Sequence, residues 1–310
     1  MTADATVHVP VLLSEVIRAL KPETGGRFLD CTLGGAGHTE AILKSSPDTQ
    51  VVAIDRDRRA LERAELRLAP YKGRFELHHL AFSELPEVES KGPFKGILAD
   101  LGISSDQLEE ARGLSFREEH PLDMRMNEED SMTAEDIVNS YSAGQLTGML
   151  RRGGVTRNMK RYVEAIVKGR PFESAQELGE AISNATPIRD RKERHPATVV
   201  FQAIRIEVNS ELREIEVLLD LVPRLIAPSG VFACICFHSL EDQVVTKRMR
   251  KWKGAGAPAN FPGAEAHAEQ SLGKLLTRDA ITPSAEEVKA NPRSRSALLR
   301  VFEFHGAVNN

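Results

Sequence analysis

The chain has 310 residues, 41% of them hydrophobic and 28% charged, which is ample for a core in one large domain or two smaller ones. A formal net charge of −4 excludes a globally basic nucleic-acid binder, so any such role must rest on local patches. No apolar run approaches the roughly 20 residues that span a bilayer, residues 1–10 lack the layout of a signal peptide, and three cysteines cannot pair completely, so a cytoplasmic protein without a membrane segment is expected.

In chain order, short apolar runs at 28–29, 51–54, 75–80 and 96–99 alternate with helical segments such as 58–68, the rhythm of a parallel sheet. From about Glu110 the strand signals stop. Thr133-Ala134-Glu135-Asp136 predicts a capping box, and Met159, Tyr162, Val163, Ile166 and Val167 recur at helical spacing until Gly169 and Pro171. Ser174 with Glu177 caps a further helix carrying Leu178, Ile182 and Ala185, and another pattern runs from Pro196 toward Leu212. This block of roughly 100 residues is far longer than an ordinary loop. Sheet signals then return, with 218–226 read as a helix, Pro228-Ser229-Gly230 as a turn, and 231–237 and 298–304 as strands. Cys234 and Cys236 are expected on opposite faces of the first of these strands, and no metal site is implied. The Ala-, Gly- and Pro-rich stretch 254–273 reads as loosely ordered. The simplest division is an α/β domain, 1–109 and 214–310, interrupted by a helical insertion at 110–213.

The densest chemistry lies between Phe28 and Asp55. An apolar strand enters a glycine-rich turn (Gly34, Gly35, Gly37) and a helix start, and a second apolar strand ends on Asp55, the spacing that sets a carboxylate on ribose hydroxyls. Dinucleotide binding needs G-x-G-x-x-G, but Thr32 stands where the first glycine belongs, which disfavours NAD and a dehydrogenase. Asp30, Thr32, Gly34 and Gly37 suit S-adenosylmethionine, which has one carboxylate and no pyrophosphate to place at a helix N-terminus.

Three basic patches point to a polyanionic substrate. Arg151, Arg152, Arg157, Lys160, Arg161, Lys168 and Arg170 share a 20-residue stretch with one acid, Glu164; Lys247, Arg248, Arg250, Lys251 and Lys253 surround Trp252; Arg293, Arg295 and Arg300 follow Asn291-Pro292. A DNA or small-molecule amine methyltransferase, and a non-catalytic ribosome-assembly factor, remain compatible with these features alone.

His8-Val9-Pro10-Val11-Leu12-Leu13, the run 30–38, Asp100-Leu101-Gly102-Ile103-Ser104-Ser105-Asp106-Gln107-Leu108, Arg112-Gly113-Leu114-Ser115-Phe116, Pro121-Leu122-Asp123-Met124-Arg125-Met126, His195-Pro196-Ala197-Thr198, Phe237-His238-Ser239-Leu240-Glu241-Asp242 and Asn291-Pro292-Arg293-Ser294-Arg295-Ser296 together resemble the MraW/RsmH family of ribosomal RNA small-subunit methyltransferases. The resemblance spans nearly the whole chain in the family's order. It implies a Rossmann-like class I methyltransferase sheet with an inserted all-helical domain. The activity it implies is methyl transfer from S-adenosylmethionine to N4 of a cytidine in the decoding region of 16S ribosomal RNA. Two stretches depart from the family pattern: Val199-Val200, where an arginine is usual, and Gly153-Gly154-Val155-Thr156, where Gly-Glu-Glu is common.

By the same resemblance, Gly37, His38 and Thr39 contact the cofactor at the helix start, Asp55 its ribose, Phe82 its adenine, and Asp100 and Gln107 its methionine end. Asp100 is also the first candidate acceptor for the amine protons, because the N4 lone pair is delocalised into the ring and acceptors on those protons make nitrogen more nucleophilic. Amino-methyltransferases often place Pro-Pro-aromatic after this acid, whereas Leu101-Gly102-Ile103 follows here. His238 and Ser239 are the next candidates. A histidine there could take the proton, while a structural role would have the Ser239 hydroxyl cap the helix beginning near Leu240.

Overall fold

The computed structural model describes residues 10–104, 107, 112–116, 119–191, 195–254 and 271–305. Two compact units emerge, Met1–Gly102 with Glu214–Asn310, and Ile103–Arg213. The expected boundary at 109/110, most of the Ala/Gly/Pro-rich stretch, and His8, Val9, Ser105, Asp106 and Leu108 of the family-like blocks lie outside the described residues.

The first unit holds seven strands: β1 (Gly26–Asp30), β2 (Thr49–Asp55), β3 (Phe75–His79), β4 (Phe94–Asp100), β5 (Ile226–Cys236), β6 (Gly273–Leu275) and β7 (Leu298–Phe304). They form one sheet in the order β3-β2-β1-β4-β5-β7-β6. β1 to β5 run parallel, and β7 is antiparallel to both of its neighbours. This is the Rossmann-like class I methyltransferase sheet that the resemblance implied. Val51–Ile54 of β2 and Ile97–Ala99 of β4 are buried along their whole length, as strands covered on both faces must be. On one side Val16 and Leu20 of α1 (Leu13–Leu20), Ile42 and Leu43 of α2 (Gly37–Ser45), and Ala64 and Leu68 of α3 (Arg58–Leu68) close over Phe28, Val51 and Leu98. Strand order reverses between β1 and β4. In open α/β sheets such a reversal opens a crevice at the carboxyl ends of the strands.

The helix expected at 58–68 forms there, with the Asp57 side chain accepting the Arg59 N–H at 3.0 Å as its cap. Pro228-Ser229-Gly230, expected as a turn, instead bulges within β5. Pairing jumps from Phe94↔Ile226 to Gly96↔Val231, and Ser229 takes the left-handed φ of 59° that such an excursion requires. Cys234 and Cys236 lie on one face of β5, not on opposite faces, because residues two apart on a strand share a side. The Cys234 thiol is hydrogen-bonded to that of Cys236 and pushes its pKa up.

Within the second unit, α4 (Ala134–Ser140), α5 (Ala143–Arg152), α6 (Met159–Gly169), α7 (Ala175–Ala185) and α8 (Ala197–Val208) bury Ile137, Leu146, Ile166, Leu178 and Ile204 in a core of their own. The expected caps form. Thr133 Oγ1 accepts the Asp136 N–H at 3.1 Å while Asp136 accepts the Thr133 N–H, and Ser174 Oγ accepts the Glu177 N–H at 3.2 Å. In the block Pro121–Met126, Arg125 grips Asp123 through two bonds of 2.7 Å and so stabilises the turn that leads into α4.

The helix expected toward Leu212 stops at Val208. Asn209 accepts the Met126 N–H at 2.8 Å and donates to Met124 and Arg205 carbonyls, Ser210 turns left-handed, and a new helix, α9 (Glu211–Leu225), starts. Three hydrogen bonds from one side chain outweigh the apolar periodicity that continues through the break.

Of the two departures from the family pattern, Val199 is exposed and Val200 is core. Gly153 closes α5 against α8 so tightly that a Cβ would lie 2.2 Å from Ala203 Cβ. Gly153→Ala is therefore expected to destabilise the chain by about 1–3 kcal/mol through overpacking. Chemical denaturation checks this, and an unchanged midpoint would show that α5 and α8 separate freely.

Candidate active site

At the end of β1 the buried Asp30 carboxylate accepts the Thr32 N–H at 3.0 Å through Oδ1 and the Thr39 hydroxyl at 2.6 Å through Oδ2. Thr32 Oγ1 in turn accepts the Asp100 N–H at 2.6 Å, fixing the turn after β1 to the end of β4. Gly34, at φ 46°, donates its N–H to Asp55 Oδ2 at 2.8 Å, and Asp57 N–H donates to Asp55 Oδ1 at 2.8 Å. Thus the acid at the tip of β2 holds the glycine turn directly. A Cβ on Gly37 would sit 2.3 Å from Pro10 Cγ, whereas one on Gly35 would meet nothing within 4 Å. The first glycine lets the preceding chain pack on α2, and the second leaves space beside the turn.

Helix α2 begins at Ala36 with no side-chain cap, so its first turn presents backbone N–H groups of the kind that bind anions. Thr39, whose alternative role was capping, spends its hydroxyl on Asp30 instead. Leu80 N–H donates to Asp55 O at 3.1 Å, bringing the end of β3 alongside that of β2, and half-buried Phe82 follows at the start of the 3-10 segment Phe82–Lys91.

Asp100 ends β4 beside β5, with Leu101 N–H bonded to Ile235 O at 2.9 Å. Its Oδ2 lies 3.6 Å from His38 Nδ1, and its Oδ1 is shut from solvent without a hydrogen-bond partner among the described residues. Burial, with the nearby Asp30 and Glu241 charges, holds the Asp100 carboxyl well above the usual range. Burial likewise raises Asp30, against the opposing bonds from Thr39 and Thr32, and pushes Asp55 up to about 6. Three acids that resist ionisation converge on one strand edge. A cation placed there would relieve all three.

After β5, His238 rather than Ser239 caps α10 (Ser239–Lys253). Its Nδ1 accepts the Glu241 N–H at 3.4 Å, and Glu241 Oε2 accepts the Phe237 and His238 N–H groups at 2.7 and 3.2 Å. Nε2 of His238 lies 3.1 Å from Glu241 Oε1 but makes no hydrogen bond among the described residues. Ser239 is exposed in the first turn of the helix. Gln107 belongs to the second unit, where it is buried and accepts the Ser104 N–H at 3.0 Å. Sequence reasoning missed Glu241, although its spacing three residues after His238 is the signature of a reciprocal cap.

The basic patches divide on inspection. Arg152 pairs with Glu207 at 2.8 Å, Arg170 donates to the Val138 and Tyr141 carbonyls, Arg248 pairs with Asp220, and Arg300 grips Asp242 at 2.8 and 3.0 Å. Trp252 is buried among Phe232, Phe302 and Phe304 and is a core residue. Exposed positive charge remains at Arg151, Arg157, Lys160, Arg161 and Lys168 of the first patch, at Lys247, Arg250, Lys251 and Lys253 of the second, and at Arg293 and Arg295 of the third.

A model of the MraW methylase family matches residues 5–305. Among curated relatives, the ribosomal RNA small subunit methyltransferase H of Synechococcus elongatus is 42% identical over 298 residues, covering 96% of this chain and 94% of that protein. The protein of the same name from Sulfurimonas denitrificans is 42% identical over 302 residues, covering 96% and 97%.

The raised Asp55 pKa has a consequence for stability. An acid whose pKa is higher in the folded than in the unfolded chain contributes stability at low pH that is lost as pH rises through the folded value, here about 6. Relative to Asp55→Asn, the ligand-free chain should therefore lose up to about 3 kcal/mol between pH 4 and pH 8. Denaturation midpoints of the two proteins across that range check this, and a constant offset between them would count against it.

Proposed function

The chain belongs to the MraW methylase family, whose reaction is methyl transfer from S-adenosylmethionine, and on that premise we propose that it methylates N4 of a cytidine in the decoding region of 16S ribosomal RNA. The observation that carries the cofactor side is the convergence of Asp30, Asp55 and Asp100 on the glycine turn and the uncapped start of α2. A sulfonium is cationic and relieves those acids, whereas a dinucleotide would bring two phosphates against them. Asp55 accepts the ribose hydroxyls, the α2 N-terminus at Gly37, His38 and Thr39 takes the methionine carboxylate, and Phe82 stacks on adenine. Gly35 leaves room for the ligand's approach, Gly34 shapes the turn that meets it, and Gln107 is assigned to the methionine end.

The chemistry asks mainly for placement. The sulfonium is a good leaving system, and the site must hold the amine in line with the methyl and exclude water. Asp100 Oδ1, buried and unsatisfied, is the acceptor for an amine proton. His238 orients the start of α10 and leaves Ser239 exposed beside it as a second polar group for the substrate. Methylation at carbon 5 would need a thiolate nucleophile, but Cys31, Cys234 and Cys236 are all buried, and Cys31 and Cys236 are held in the thiol form. The relatives' name supports ribosomal RNA of the small subunit as the substrate, and a cytoplasmic location goes with it. None of the described helices is long and apolar enough to cross a membrane.

Nucleoside mass spectrometry of small-subunit RNA made with and without the protein should show N4-methylcytidine, and a variant lacking all three cysteines should still form it. Appearance of 5-methylcytidine, or loss of transfer in a folded cysteine-free variant, would overturn the amine mechanism.

On the RNA side, the exposed charges of α6 and its approach are assigned to phosphate contacts, which must offset the few kcal/mol needed to unstack a base. Replacing Arg157, Lys160 and Arg161 with Glu should weaken RNA binding and flatten its salt dependence by about 0.7–0.9 per contact on the log–log slope, with cofactor affinity unchanged. Wild-type binding across a salt titration would show this face to be merely solvated.

A further inference from the structure

His38 Nε2 lies 3.0 Å from the carbonyl oxygen of Val11. A carbonyl only accepts, so Nε2 carries the hydrogen, and in the neutral ring Nδ1 directs a lone pair toward Asp100 Oδ2 at 3.6 Å. Two acceptors facing each other repel. One proton between them turns that repulsion into a charge-assisted bond, after the small closing movement that catalytic contacts often make when ligands bind. Among the described residues, the charges acting on Asp100 are those of Asp30 at the end of β1 and Glu241 on α10. On the Val11 side, Glu287 of the helix α11 (Ala285–Ala290) accepts the Leu12 N–H at 2.8 Å. The two acids beside Asp100 favour a proton held in this gap. His38 itself is 6% exposed, so a proton it takes stays with the site until the site opens.

We propose that His38 is the destination of the proton released by methyl transfer, receiving it through Asp100. The proposal rests on the reading of Asp100 as the acceptor for the target amine. In the transfer, the N4 lone pair forms the new N–C bond while the S–CH3 bond breaks and leaves its electron pair on sulfur. The cationic nitrogen then gives one proton to the Asp100 carboxylate. Asp100 passes a proton to His38 Nδ1, regenerating the carboxylate and leaving an imidazolium beside it, which loses its proton to water once product departs. His38 acts through Asp100 and is a positioning residue in this scheme. Without it Asp100 would keep the proton, in surroundings that already disfavour its ionised form, and would enter the next turnover unable to accept.

His38→Gln tests this, because the amide retains an N–H for Val11 O and removes the basic nitrogen. Its multiple-turnover rate at pH 7 should fall about a hundredfold and recover as pH rises, while calorimetric cofactor affinity stays within about twofold of wild type, because the helix start offers the ligand backbone N–H groups that the substitution leaves in place. A wild-type rate and pH profile would overturn the relay. So would a pH-independent loss matched by lost cofactor affinity, the mark of a purely structural histidine. Nitrogen-15 NMR of the wild-type His38 ring gives a reading that needs no variant: Nε2 protonated and Nδ1 unprotonated in the cofactor complex supports the relay, and the opposite neutral tautomer overturns it. Asp100→Asn separates the two levels. If that variant methylates at the wild-type rate, the parent reading of Asp100 fails; if only His38→Gln does, the relay alone fails.

Discussion

The buried carboxylate of Asp30 is the group on which the site depends. It is fully shielded from water, so it must be satisfied by the protein, and the groups that satisfy it belong to the turn after β1 and to α2. Thr32 extends the same network to the backbone of Asp100 at the end of β4. Two strand ends on either side of the topological reversal and the helix that starts between them are therefore held in one arrangement. Gly34 then connects that arrangement to Asp55 at the end of β2. No single bond here is strong in net terms, but in a low-dielectric interior each group's partner is also what makes its neighbour's burial tolerable.

Much of this was legible in the chain. The apolar strands at 28–29, 51–54, 75–80 and 96–99, the α3 helix, the Thr133 and Ser174 caps and the last strand all follow from local chemistry, and they form where that chemistry puts them, to within a few residues at their ends. Asp30, Asp55 and Asp100 could be read as site acids because each ends an apolar run, where a carboxylate must have a purpose. What could not be read depends on partners far away in sequence. Asn209 interrupts a periodic apolar pattern only because Met124 and Met126, more than 80 positions earlier, supply the groups it bonds. Pro228-Ser229-Gly230 has the composition of a turn, and whether it closes a hairpin or bulges in a strand is decided by how Phe94 and Gly96 pair across from it.

The basic patches give a similar lesson about charge. Counted along the chain, Arg152, Arg170, Arg248 and Arg300 look equivalent to their neighbours, yet each is committed to a carboxylate or a carbonyl of the fold. Arg157 and Arg161 remain on the surface. An arginine's planar fork makes it as useful for tying elements together as for gripping phosphate, and only the partner distinguishes the two uses.

The central seam of the sheet joins β4 to β5, so Asp100 pairs with Ile235 across the entire helical unit. During synthesis the first four strands emerge long before the fifth exists, and until then β4 has an open edge exposed to solvent and to other chains. The helical unit, by contrast, is a continuous segment whose core is complete once its last helix has emerged. It can close first and shorten the effective loop that the seam must span, since a folded segment holds its ends at a fixed separation while an unfolded one costs entropy that grows with length. The stability of the insertion thus bears on assembly as well. Mutations that weaken its core should leave the open β4 edge exposed longer, and so harm yield before they harm any contact to a ligand.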